Sequence, residues 1–112
     1  MGMKKISDDV LLVELPSKSP KIANELKAVN EAASKEGNCD IIIDFTGVEI
    51  INSSNISNLL ILHNLQQGIN RRLIFCNVAT VTKCIFVVAG LNELFEFADD
   101  RSSALATVGQ AG

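Results

Sequence analysis

Between Ile50 and Gly68 the chain reads IINSSNISNLLILHNLQQG. Side chains able to act as nucleophile or base gather here: Ser53 and Ser54 together, Ser57 shortly after, and His63, the single histidine. An acid, Asp44, precedes them at the end of the apolar run CDIIIDF. A Ser-His-acid relay is the first chemistry to test. A helix that begins near Ser53 puts His63 roughly 15 Å along its axis from the serines, at ~1.5 Å per residue. That is outside the reach of a general base. No GxSxG elbow is present either. No residue is therefore assigned as catalytic, and His63 reads as a half-exposed helical residue.

Two roles remain for the serines. Asn52, Ser53 and Ser54 are all good N-cap types, and a cap contributes about 0.5–2 kcal/mol. On the physics of the residues alone, capping is the simpler account. The same position also suits a phosphoryl group, because unpaired N–H groups and the positive end of the helix dipole favour an anion. Phosphorylation would add about −1.5 to −2 charge. The domain could absorb that charge locally, whereas a partner covering the site with an apolar or acidic surface could not.

Other chemistries lack support. GxGxxG and GxxxxGK[ST] are absent, so neither a dinucleotide nor a P-loop site is expected. One histidine and no CxxC make a metal site unexpected. Cys39, Cys76 and Cys84 read as free, buried thiols. No cofactor is expected. A net charge of −3 and a pI near 5.0 argue against a nucleic-acid surface. No apolar run is long enough to span a membrane, and MGMKKISDDV lacks the apolar core of a signal peptide. The expectation is a cytoplasmic protein with no membrane or nucleic-acid partner.

The elements that position the serines follow from periodicity. At 112 residues the chain is expected to be one domain over 1–112, with 110–112 a frayed tail. MKKI and VLLVELP (Val10 to Pro16) form a hairpin about Asp8-Asp9. Ser19 then caps a helix whose first residue is Pro20. Ile22, Leu26, Val29 and Ala33 give it an apolar stripe, and Gly37-Asn38 end it. Cys39 to Phe45 is a strand buried on both faces. The helix from about Ser53 to Gln67 is stopped by Gly68. Leu59, Leu62, Leu65 and Ile69 form its wall, with Ile61 at the edge, while Ile56 and Leu60 fall on another side. Either that helix is covered on more than one side or an apolar patch remains beside the serines. Arg71 to Val78 is a further strand. Val81, Cys84, Ile85 and Val88 mark a helix stopped by Gly90. LFEF is a last strand, and Ser102 or Ser103 opens a final helix through Ala104, Leu105 and Val108. This alternation implies a largely parallel sheet with right-handed crossovers.

DFTGVEIINSSN and the later RRLIFCNVATVTKCIFVVAGLNELFEFADDRSSAL resemble the STAS domain, in particular the stand-alone anti-sigma-factor antagonist. The likeness rests on Asp44-Phe45-Thr46 before the serines, and on Gly90-Leu91 followed by Leu94-Phe95. It implies an α/β fold: a four- to five-stranded, mostly parallel or mixed sheet with about four helices packed mainly on one side. It implies a non-enzymatic signalling protein that binds an anti-sigma factor, itself a serine protein kinase, with a phosphatase to reset it. By position the phosphoacceptor is Ser54, with Ser53 its neighbour and cap. Asn52, Ser53, Asn55, Ser57 and Leu60 would line the partner contact, and Asp44 and Thr46 would shape the loop below. Two positions depart from the family pattern. Asn52 stands where the family has Asp, and Asn55 where it has Gly. A constitutive interaction or assembly module, or a sensor of a small anion or nucleotide, is the alternative.

Overall fold

Apolar runs pair side by side in the order in which the chain makes them. The computed structural model describes residues 2–18 and 20–108. Its elements are β1 (Gly2–Ser7), β2 (Val10–Glu14), α1 (Lys21–Glu36), β3 (Asp40–Asp44), α2 (Ser53–Gly68), β4 (Leu73–Cys76), α3 (Thr80–Val88), β5 (Glu96–Ala98) and α4 (Arg101–Thr107). The sheet has the order β1-β2-β3-β4-β5. β1 and β2 are antiparallel, with an irregularity between Lys5 and Ser7, and every other pairing is parallel.

β3 is the central strand, and all five of its residues are buried. Its DIIID run does not alternate because both faces are covered. Ile41 and Ile43 join Val13 and Phe75 in a core closed by Ile22, Leu26 and Val29 of α1, Leu59 and Leu62 of α2, and Phe86 of α3. Ile42 faces the other way, with Val10, Leu12, Ile74 and Cys76, beneath Ala104 and Val108. Three helices thus cover one face, and the short α4 covers the other.

All five phenylalanines meet in the larger core. Phe75 lies at the centre, its ring 5.1 Å from Phe45, 4.7 Å from Phe95, 6.0 Å from Phe86 and 5.8 Å from Phe97. This cluster corrects the reading of α3. The inward residues are Thr82 and Phe86, with Ile85 half-buried. Val81 and Val88 point out, 57% and 88% exposed, and Cys84 is exposed with them. A buried aromatic ring removes more apolar surface from water than a valine, so Phe86 fixes the rotation of the helix.

Other boundaries also move. Pro20 sits at the N-cap of α1 rather than inside it, without a side-chain cap, and Ser19 lies outside the described residues, as does the 110–112 tail. Gly37 ends α1 in the left-handed region, as its C-cap position requires. Gly68 is the last residue of α2, and the left-handed turn falls on Asn70. Asp100, not Ser102 or Ser103, caps α4, its carboxylate accepting from the Ser103 N–H at 2.8 Å. Cys76 is buried, Cys39 half-buried and Cys84 exposed, so only one of the three free thiols is interior.

The rotation of α3 can be tested directly. Phe86→Ala should cost about 3–5 kcal/mol in urea unfolding, while Val88→Ser should stay within about 0.5 kcal/mol of wild type. The reverse order would mean that the apolar stripe, not the phenylalanine, faces inward.

Candidate functional site

The segment between β3 and α2 emerges at the carboxyl edge of the parallel strands. It is pinned at its start by Asp44. The Asp44 carboxylate accepts from the Thr46 N–H at 3.0 Å and from the Thr46 hydroxyl. Asn77 Nδ2 donates to it at 3.1 Å, and Arg101 donates through Nε at 3.2 Å and Nη2 at 2.7 Å. Burial pushes the Asp44 carboxyl up. The hydrogen bonds from Thr46, Arg101 and Asn77 outweigh that and hold it below its ordinary value of 3.8. The neighbouring Cys76 thiol is pushed up to about 11 by burial and by the charge of Asp44, so it is not a nucleophile.

Beyond Asp44 the loop is anchored by Val48 and Ile51, which enter the core. Glu49 N–H donates to the Ser17 carbonyl at 3.1 Å. Ile50 is left outside, 62% exposed. Asn52 then takes the extended conformation of an N-cap. Its Oδ1 accepts from the Asn55 N–H at 2.9 Å, and Asn55 Oδ1 accepts from the Asn52 N–H at 3.0 Å. This is a reciprocal capping box built from two asparagines. It leaves Ser53 and Ser54 on the exposed first turn, where N–H groups have no intrahelical acceptor.

The box corrects two expectations. Ser53 is not the cap; Asn52 is. Asn55 is fully buried, so its side chain closes the cap from within and is not presented to a partner. Asn52, Ser53, Ser54 and Ser57 are exposed, and Leu60 is half-buried. Ser54, Ser57, Ile61 and Asn64 form the outward stripe of α2. The inward stripe is Asn55, Asn58, Leu59, Leu62 and Gln66. Leu65 is only half-buried and Ile69 is exposed, so the expected apolar wall is broken. Amides replace part of it because nearby backbone groups need partners. Gln66 Nε2 donates to the carbonyls of Cys39 and Arg72, both at 2.9 Å. Asn30 Nδ2 donates to the Asn58 carbonyl at 3.1 Å, joining α1 to α2. Ile56 and Leu60 pack against the main core, so α2 is covered on more than one side. His63 is half-exposed, its ring 5.8 Å from that of Phe95.

Against this geometry, the family model for the STAS domain matches residues 4–104. The chain belongs to the STAS domain family. No match was found among curated proteins. Several solved structures share the fold. An anti-sigma-factor antagonist (STAS) domain protein from Planctomyces limnophilus aligns at a TM-score of 0.80 and 15% identity, over 98% of this chain and all of that one (100%). A variant of RsbS from Moorella thermoacetica aligns at 0.78 and 12% identity, over 93% of this chain and 90% of that one. The Bacillus cell fate determinant SpoIIAA in its phosphorylated form aligns at 0.73 and 17% identity, over 93% and 95% respectively. The five-stranded mixed sheet and four helices are those of these STAS proteins.

Within this STAS domain, Arg101 and Asn77 were not anticipated from the sequence. Arg101 carried a signal. It is the first residue of α4, where a cation meets the positive end of the helix dipole. Such a placement calls for a carboxylate, and Arg101 has two, Asp44 and Glu14, the latter at 2.8 Å. A groove of about 340 Å³ runs beside them, lined by Glu14, Leu15, Ser17, Asp44, Thr46, Gly47 and Arg101. Its cation is already matched by two carboxylates, which speaks against a small anion there.

Removing the clamp gives a pH-dependent outcome. Asp44 has a folded pKa below its unfolded value, so its contribution is complete above about 4 and is lost as pH falls through the lowered folded value. Arg101→Met should cost roughly 1–2 kcal/mol at pH 7, discounted because the guanidinium is partly exposed. It should also move the acid-unfolding midpoint to higher pH. Circular dichroism during acid titration reads both, and an unmoved midpoint would show that Arg101 does not hold the carboxylate ionised.

Proposed function

We propose that this STAS domain is a non-enzymatic signalling protein of the anti-sigma-factor-antagonist type, switched by phosphorylation of Ser54. One observation carries the reading. The cap of α2 is completed by Asn52 and Asn55, and among the described residues the exposed hydroxyl of Ser54 has no part in holding the helix. A side chain without a structural task, at the positive end of a sixteen-residue helix, is free to be modified. Phosphorylated SpoIIAA shares this fold, which supports the reading without transferring the site.

The partner is a serine protein kinase that also acts as the anti-sigma factor, and a phosphatase reverses the mark. Its contact covers Asn52, Ser53 and Ser57, reaches the edge of Leu60, and extends to the exposed side chains of Ile50 and Ile61. Asn55 supports this surface from beneath. Asn52 supplies hydrogen bonding without charge, so kinase docking here does not use an acid at that position. The reading places the protein in the cytoplasm, where sigma factors act.

A constitutive assembly module is the second reading, favoured by the outward apolar face of α3 at Val81, Val87 and Val88. Two measurements separate them. Incubation with the cognate kinase followed by mass spectrometry should place one phosphate on Ser54, lost in Ser54→Ala. Phosphate on Ser53 or Ser57 instead would refute the assignment. Ser54→Asp should weaken kinase binding at least about tenfold, or ~1.4 kcal/mol, with urea stability within about 1 kcal/mol of wild type. Unchanged binding would favour the assembly module.

A further inference from the structure

At the other end of α2, roughly 18 Å from Ser54 along the axis to Gln66 at ~1.5 Å per residue, a cavity of about 230 Å³ opens beneath the β1–β2 hairpin. Its apolar lining comes from Met3, Leu11, Ile41, Ala32 and Ala33. Leu11 and Ile41 are register partners on adjacent strands, and the two alanines of α1 are too small to fill the space above them. The space amounts to between seven and eight water volumes at ~30 Å³ each, with room for a side chain as large as a benzyl group. An apolar recess with a few polar groups at its rim is the usual form of a small-molecule site.

The rim carries one charge of each sign. Lys5 Nζ and Glu36 Oε2 stand 4.0 Å apart, and both side chains are largely in solvent. A pair this exposed and this long holds weakly. Glu36 is the last residue of α1, so the carbonyl end of that helix adds to the attraction for a cation beside it.

We infer that this cavity binds a free α-amino acid with an apolar side chain. The ligand ammonium meets Glu36 and the carbonyl end of α1, its carboxylate meets Lys5, and its side chain enters between Leu11, Ile41 and Ala33. Charge complementarity selects this class. A ligand with only a carboxylate forgoes the contact with Glu36, and one with only an ammonium forgoes that with Lys5. The site is independent of Ser54 and of the reading built on it.

The test uses the full chain, labelled with ¹⁵N and titrated with L-phenylalanine. Saturable amide shifts are expected at Lys5, Leu11, Ala33 and Cys39. Ala33→Leu should abolish them by filling the cavity. Lys5→Met, on an exposed strand where folding is not at stake, should weaken binding at least about fivefold. 3-Phenylpropionate and phenethylamine, each with one charge, should bind at least about tenfold more weakly than L-phenylalanine. No saturable shift at these amides up to about 10 mM L-phenylalanine, shifts confined to other residues, or equal binding of 3-phenylpropionate would overturn the proposal.

Discussion

The carboxylate of Asp44 is the constraint on which the site depends. It is buried at the end of the central strand, and a buried charge is tolerated only when paired and hydrogen-bonded. Its donors come from three places: Thr46 in the loop that leads to α2, Asn77 in the loop that leads to α3, and Arg101 at the start of α4. One side chain thereby joins three connections, two of which the backbone also joins through the Asn77 N–H and the Asp99 carbonyl at 3.3 Å. Asn77 reaches it from a left-handed conformation, φ 56°, which asparagine adopts more readily than most residues. At the other end of β3, Asp40 is buried as well. It accepts from the Arg72 N–H at 2.9 Å and pairs with Arg71 at 3.1 Å. Both ends of the strand are therefore fixed by a buried acid and an arginine.

With the loop held by Asp44, Val48 and Ile51, the start of α2 has little freedom. The two asparagines finish it. A capping box usually joins a Ser or Thr to a Glu or Gln. Here both members are neutral amides, and the buried one, Asn55, leaves its Nδ2 without a partner among the described residues. Exposing Asn55 and using Ser53 as cap would relieve that cost. The observed arrangement instead keeps both serine hydroxyls out of the hydrogen bonding among the described residues. Structural work falls on residues 52 and 55, and chemical accessibility on residues 53 and 54.

The succession of strands and helices along the chain and the largely parallel sheet were legible in the sequence because they follow from runs and periodicities that burial enforces. The unbroken CDIIIDF run announced a strand covered on both sides, and it is. The failures came where two forces compete. On α3, counting apolar residues favoured the valine stripe, because a single Phe86 is one residue in a count and much more in area. On α2, a leucine wall ignored that Gln66 and Asn58 serve carbonyls of the residue before β3, the turn before β4 and the helix itself. The Cys39 carbonyl is distant from Gln66 in sequence, and apolar periodicity reveals none of these partners. The cap was misassigned among three adjacent residues of cap-forming type, since only the backbone conformation of Asn52 distinguishes it. The Arg101 clamp was legible in principle, through the misfit of a cation at a helix start.

The proposed switch at Ser54 would act by charge, because the loop that leads to it is anchored by Asp44, Val48 and Ile51. The domain already carries a net charge of −3, and a phosphate adds about −1.5 to −2 more at neutral pH. In solution that addition is screened over about 8 Å at physiological salt, so it has little effect on a partner still at a distance. Its effect appears when a partner closes over the first turn of α2, excludes water and brings the phosphate into a less polarisable setting. There the same charge opposes an apolar or acidic surface strongly, while the first-turn N–H groups stabilise it in the free domain. The two states then differ in affinity more than in shape. A loop that yielded to the phosphate would dissipate that difference by moving away, which is why the fixed carboxylate beneath it matters to the site it supports.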